Sequence, residues 1–365
     1  MKPRIRIWPT GPAVARRLAA TAIALLLLAG PAAAWWHEWN AESQAAKAAF
    51  QRGDYDEAAR RYGAALEAAE AFEAGDKRLP TTLNALALVY SELGRYGEAE
   101  PLYRRALALF EEIDGPTSGN VAAVLGNLGL LYKRQGRYDE AEPLYRRGLA
   151  VDEEILGPAH PNVAIDLANL AMLQAARDRL DEAEALMQRA LKIHEDVLGP
   201  EDPGLATLLN NMAVIYRMQN RYDEAEPFYR RALAIDERSL GRDHPVVAER
   251  LSNLGVLSFY QGRYDAAEGY YRRALDISEA RLGPYHPEIA LMLNNLAVLY
   301  KAQGRRTESE ALLRRALAIR SAALPPYHPA IADTLYTLSD LLVETGRNNE
   351  AAALKAQADA ISGGG

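Results

Sequence analysis

The chain has 365 residues, 49% hydrophobic and 25% charged, with 42 basic groups against 49 acidic ones for a net charge of −7. Such a composition can bury a core, which excludes a disordered acidic tail, and ordinary glycine and proline usage excludes collagen-like order. The absence of cysteine removes disulfides, thiolate zinc sites and cysteine nucleophiles together. The acidic balance argues against nucleic acid, which needs a basic face against its phosphates.

Residues 1–34 differ from the rest. Lys2, Arg4, Arg6, Arg16 and Arg17 carry positive charge with no acid among them, Leu18 to Gly30 is an apolar run, and Pro31-Ala32-Ala33-Ala34 supplies a small-residue cleavage pattern. That order of regions is the order of a secretory signal. A second reading stays open, because Leu18 to Ala34 reaches the lower limit of a membrane span and Trp35, Trp36 and Trp39 follow where an interfacial aromatic belt would lie. Both readings place the remainder outside the cytoplasm: periplasmic or secreted if the segment is cut, held at the inner membrane if it is kept. Without the five cationic residues the remainder carries a net charge of about −12.

From residue 40 onward one pattern recurs. Gly-Arg-Tyr-Asp-Glu-Ala-Glu begins at Gly136, and variants begin at Gly94, Asp178, Asn220, Gly262, Gly304 and Gly346, each 42 residues from the next, with a degenerate copy at Gly53. A fixed period of this size is the signature of a repeat array. Each repeat reads as two helices. In residues 120–157, Val121, Val124, Leu125, Leu128 and Leu131 form a stripe of helical period, and Gly136 closes that helix. Asp139 and Glu140 open a second helix at the positive end of its dipole. Its apolar face runs through Ala141, Leu144, Tyr145, Gly148 and Leu149 to Ile155, with Pro143 assigned to the early turn where free N–H groups tolerate it. Leu156-Gly157-Pro158-Ala159-His160-Pro161 links one repeat to the next. Two such helices cannot cover their stripes alone, whereas stacked copies can.

The small-beside-large pattern Leu128-Gly129-x-x-Tyr132 followed by Ala141-x-x-x-Tyr145 resembles a tetratricopeptide repeat (TPR). The 42-residue copies, such as Leu293-Asn294-Asn295-Leu296-Ala297-Val298-Leu299-Tyr300 and Tyr222-Asp223-Glu224-Ala225-Glu226-Pro227, are similar to those of kinesin light chains, although the heptad coiled coil of those proteins is absent. The resemblance implies an all-α, right-handed superhelical solenoid of about eight helix-turn-helix units. The expected organisation is a targeting segment (1–34), a degenerate capping repeat (35–78), six repeats of 42 residues (79–325), and a C-terminal capping repeat with its tail (326–365). The fourth repeat breaks the pattern at Gln174, Asp178 and Leu180, which suggests a softer joint there.

No chemistry-bearing motif stands out. His160, His244, His286 and His328 share one linker slot before a proline and are separated by whole repeats, so helix capping is expected in preference to metal binding. The Arg-Arg pairs at 104–105, 146–147, 230–231, 272–273 and 314–315 follow acids by about one turn, as intrahelical ion pairs would. No phosphate loop, zinc-helix motif or nucleophile elbow is present, and neither enzyme activity nor a cofactor is expected. One polar ladder needs a reason. Asn127, Asn169, Asn211, Asn253 and Asn295 hold the same position in five successive first helices, although asparagine is a mediocre helix former. Two compatible accounts are amide bonding between repeats and, as the resemblance implies, a grip on a peptide backbone along the groove lined by first helices. Lys133, Arg134, Arg217 and Lys301 lie about one turn further along, with Met172, Val214, Met218, Phe259, Tyr260 and Val298 around them. The expected partner is therefore a protein or peptide segment bearing acidic and hydrophobic residues. Two rival readings are a structural scaffold working through its convex face or ends and a non-catalytic subunit of an enzyme complex. Membrane contact is expected only through an uncleaved N-terminal segment.

Overall fold

The computed structural model describes residues 31–363; residues 1–30, with the basic and apolar parts of the targeting segment, lie outside the described residues. The described residues form sixteen α-helices and no strand: α1 (Pro31–Gln51), α2 (Tyr55–Ala69), α3 (Arg78–Glu92), α4 (Tyr96–Asp114), α5 (Gly119–Arg134), α6 (Tyr138–Leu156), α7 (Pro161–Ala176), α8 (Leu180–Leu198), α9 (Leu205–Met218), α10 (Tyr222–Leu240), α11 (Pro245–Tyr260), α12 (Tyr264–Leu282), α13 (Pro287–Ala302), α14 (Arg306–Ala323), α15 (Pro329–Glu344) and α16 (Asn348–Ser362). They pair into eight repeats, as the period requires. The described residues divide into two compact bodies on either side of the 158–159 junction, the first holding repeats 1–3 and the second repeats 4–8.

Within each body every helix packs on its sequence neighbours, and some first helices touch across a repeat: α3 with α5, α7 with α9, and α11 with α13. Burial follows the stripes. Val121, Val124, Leu125, Leu128 and Leu131 of α5 are at most 3% exposed, and Ala141 and Tyr145 of α6 face them. Ile155 departs from expectation at 42% exposed. It lies beside Gly119, the first residue of α5, so the partner helix gives out at that turn. The close approach of paired helices is visible at Gly255, where a Cβ would stand 2.6 Å from the Tyr271 ring. A side chain there would force the ring to shift.

Local chemistry sets the helix ends. His160, His244, His286 and His328 each precede a proline at the first helical position, and each Nδ1 accepts the backbone N–H two residues on at 3.2–3.3 Å. They are helix caps, worth about 1 kcal/mol apiece. The second helices tolerate Pro101, Pro143 and Pro227 inside them. Pro143 is the sixth residue of α6, beyond the four free N–H groups, so the early-turn explanation fails there. The proline instead removes a bond to the Asp139 carbonyl, a cost reduced because both residues are exposed to water. Between first and second helices the turn needs a left-handed residue. Gly136 supplies it at φ 72°, but Asp178 and Asn220 hold the same slot at φ 61° and 60°.

One ion pair is buried in the C-terminal body. Arg250 of α11 meets Asp236 of α10 at 2.9 Å, with side chains 7% and 6% exposed. The linker before α9 is also distinctive. Asp202 accepts from the Gly204 N–H at 2.9 Å and from Nε2 of the buried His194 at 2.8 Å, and α9 starts at Leu205 without a side-chain cap of its own.

Candidate partner-binding face

The second helices spend their charge on one another. Arg104, Arg146, Arg230, Arg272 and Arg314 pair with a glutamate one turn earlier at 2.7–2.8 Å, as expected from spacing. The second arginine of each doublet does something the spacing did not indicate. Arg105, Arg147, Arg231, Arg273 and Arg315 cross to glutamates of the preceding repeat at 2.5–2.6 Å. Four of them also donate to linker carbonyls, those of Pro116, Pro200, Arg242 and Pro284. The arginine of the recurring Gly-Arg-Tyr adds a third tie. Arg137 binds Glu100 of the preceding repeat and Glu140 of its own, both at 2.7 Å, while its guanidinium lies 4.0 Å over the Tyr132 ring. The Tyr132 hydroxyl donates to Glu100, and Arg305, Tyr300 and Glu268 repeat the arrangement. Arg137 holds the Glu100 carboxyl below its ordinary 4.5 against the opposing effect of burial, and Tyr132 lowers it further.

The first helices are different. All five ladder asparagines are half-buried. Asn127 donates to Asn84 Oδ1 at 3.0 Å, and Asn253 to Asn210 Oδ1 at 2.8 Å. In both cases the acceptor lies 43 residues back, one position before the ladder slot of the preceding repeat. For Asn211 and Asn295 the answering positions hold Ala168 and Ser252, and no hydrogen bond reaches either amide among the described residues. Asn169 is likewise unbonded among the described residues. The ladder thus splits into two bonded members and three free ones. The Oδ1 of Asn294, at an answering position, is buried without a partner.

The four basic residues also separate. Arg134 pairs with Glu92 at 2.9 Å and donates to the Ser91 carbonyl, and Lys301 pairs with Glu344 at 2.9 Å. Lys133 and Arg217 have no carboxylate partner among the described residues; burial first, and then the charge of Arg134, depress the Lys133 ammonium. Of the expected apolar neighbours, Met218 is 37% and Tyr260 54% exposed, and Met172, Val214, Phe259 and Val298 are half-buried. Tyr260 stacks on Tyr222 with ring centroids 5.7 Å apart. Sequence reasoning passed over Ile165, Leu291 and Val343, which are 55–57% exposed on first helices of the C-terminal body. A signal existed for the first two, since other repeats place Thr207, Glu249 and Asp333 in their slot. Among the described residues no group of three His, Asp or Glu side chains is placed to hold a metal ion, and no helix is long and apolar enough to cross a membrane.

A tetratricopeptide-repeat family model matches residues 40–112, 120–196, 164–238, 204–280, 247–322 and 288–361. The chain belongs to the tetratricopeptide repeat family. A second TPR model covers residues 84–154. No curated protein matches the chain. Among solved structures it is similar to BtubC (BKLC) from P. vanneervenii, at 28% identity and a TM-score of 0.51 over 63% of this chain and 90% of that one. A kinesin-light-chain-like repeat protein from Podosopora anserina matches at 24% identity and a TM-score of 0.49, over 56% and 96%. The apo form of RapI shares the fold at 15% identity and a TM-score of 0.58, over 78% and 97%. The TPR architecture is that of a protein-interaction scaffold.

Proposed function

We propose that this TPR protein is an exported adaptor that captures a segment of a partner protein along its first-helix face. One observation carries the reading. In the C-terminal body the second helices answer their charges with neighbouring charges, whereas the first helices leave the amides of Asn169, Asn211 and Asn295 free beside exposed Ile165, Met218, Tyr260, Leu291 and Val343. Free amides can both donate to and accept from an extended backbone, and the apolar side chains give its side chains a place to bury. Arg217, with no carboxylate partner, suits an acidic residue on that segment. Export rests on the cationic, apolar and small-residue order of residues 1–34.

The test uses the full chain with Asn211→Ala and Asn295→Ala together, because neither amide is bonded in the free protein. Cross-linking from the exported fraction should lose the captured partner while the melting temperature stays level. Retention of the partner by this double variant would sink the reading. N-terminal sequencing addresses export separately: a start at Trp35 means cleavage, and a start at Met1 in a membrane fraction means an anchor.

A further inference from the structure

We propose that the turn edge shared by repeats 5 and 6 receives one arginine side chain of a partner protein, its guanidinium lying on the Tyr260 ring and forking onto Asp223. Tyr260, the last residue of α11, stacks on Tyr222, the first of α10, at 5.7 Å between ring centroids and 15° between planes. Phe259 abuts it at 5.8 Å, so the ring is held from two sides, while 54% exposure leaves its remaining face to water. The Tyr222 hydroxyl donates to Asn220 Oδ1 at 2.7 Å, which steadies the lower ring in turn. Tyr222, Asp223 and Gln261 line a cavity of about 490 Å³ together with Arg221 and Arg263. Asp223 is exposed, accepts from Gln261 Nε2 at 3.1 Å, and has no ion pair among the described residues. The two arginines of the wall are already answered, Arg221 by Glu184 and Glu224 and Arg263 by Glu226, so the Asp223 carboxylate is the charge left over.

The repeat register shows what chemistry such a pair attracts. In repeats 2, 3, 5 and 7 an arginine covers the tyrosine five residues before it, Arg95 over Tyr90, Arg137 over Tyr132, Arg221 over Tyr216 and Arg305 over Tyr300, at 3.7–4.3 Å. Each of the four also meets a glutamate three residues on. Repeat 6 breaks this rule. Ser258 stands where the tyrosine would be, Ala266 stands where the glutamate would be, and Arg263 turns to Glu226 at 2.6 Å. The aromatic ring comes two residues later, at Tyr260, in a slot that holds Glu92, Arg134, Ala176, Met218, Ala302 and Glu344 elsewhere. No cation of the described residues lies over it. The helix dipole accounts for an acid at Asp223 but not for the stacked ring nearby. A guanidinium fits the two better than an ammonium does, because it is planar, stacks on aromatic faces and forks onto a carboxylate. The net negative charge of the chain favours its approach.

The proposal deepens the partner-binding reading, on which it rests for its biological ligand, by assigning the captured segment one arginine at the turn edge. Its test needs no partner. The full chain carrying ¹³C-labelled tyrosine rings is titrated at constant ionic strength with Nα-acetyl-arginine amide and, separately, with the lysine and citrulline analogues; the Tyr260 line is identified by its loss in Tyr260→Phe. A saturable shift of that line is expected with the arginine probe, weaker with lysine and absent with the neutral citrulline. Asp223→Asn, whose amide oxygen still accepts from Gln261, should weaken the arginine probe about five-fold. Tyr327, 73% exposed in a linker, should show no saturation. Equal saturation by citrulline or lysine overturns the proposal, as does an unchanged affinity in Asp223→Asn or a linear drift shared with Tyr327. Because small cations are the probes, failure here leaves the adaptor reading intact, and failure of the asparagine double variant leaves this result standing.

Discussion

The second helices and the first helices of this chain come from the same repeat but meet their surroundings in different ways. On the second helices nearly every arginine of the recurring motif has a carboxylate in its own repeat, the preceding one, or both, as Arg137 does with Glu140 and Glu100. On the first helices, three ladder amides and two basic heads have no such answer. Exposed ion pairs are individually weak, about 0.2–1 kcal/mol each, so the second-helix lattice stabilises by number and fixes the register of one repeat on the next. The contrast teaches that repetition alone does not assign roles. A residue recurring every 42 positions is structural where its partner recurs too, and available for binding where the partner slot is filled by something else.

Acid should break the contrast most completely. Glu70, Glu100, Glu140 and Glu224 lie below their ordinary value of 4.5, held there chiefly by hydrogen bonds from Arg105, Arg137, Arg137 and Arg221 respectively. A carboxyl depressed in the folded state contributes stability that is complete above its unfolded pKa and is lost as pH falls through the folded one. The melting temperature should therefore be nearly level from about pH 8 to about pH 5.5 on this account and fall steeply below about pH 4.5. Calorimetry across that range checks it, and Glu100→Gln should flatten the acid limb.

A smaller but localised break is expected at the buried pair. Arg250→Ala leaves Asp236 buried and unpaired, a loss of about 3–5 kcal/mol by urea unfolding. Replacing both, with Arg250→Met and Asp236→Leu, should recover most of that loss.

The ladder itself gives the sharpest comparison. Asn253→Ala leaves the Asn210 carbonyl oxygen unanswered and should cost about 1 kcal/mol, whereas Asn211→Ala breaks no bond and should cost much less. Equal losses in the two variants would erase the division between bonded and free members. Smallest of all, Asp178→Gly relieves a left-handed conformation at φ 61° and should raise stability by about 0.5 kcal/mol, since part of the relief is offset by added freedom in the unfolded chain.

Much of the fold could be read from residue order because each helix carries its own instructions. The Val121–Leu131 stripe, the His-Pro linker caps and the Gly136 turn are local signals, and the structure uses each as its chemistry suggests. The candidate site was harder to read. Arg134 and Lys301 look as available in sequence as Lys133 and Arg217, yet two of the four are engaged by Glu92 and Glu344 of adjacent repeats. The second arginine of each doublet misled in the same way, because its partner lies 35 or 36 residues back and not one turn away.

What the sequence determined by itself is the period, the helices and which stripe of each helix is buried. Those follow from spacing of 3.6 residues per turn and from turn residues acting within a few positions. What only the tertiary structure decided is which polar groups remain free. That depends on whether a partner stands within about 3 Å in the next repeat, and a residue 43 positions away enters that range only once the helices have stacked.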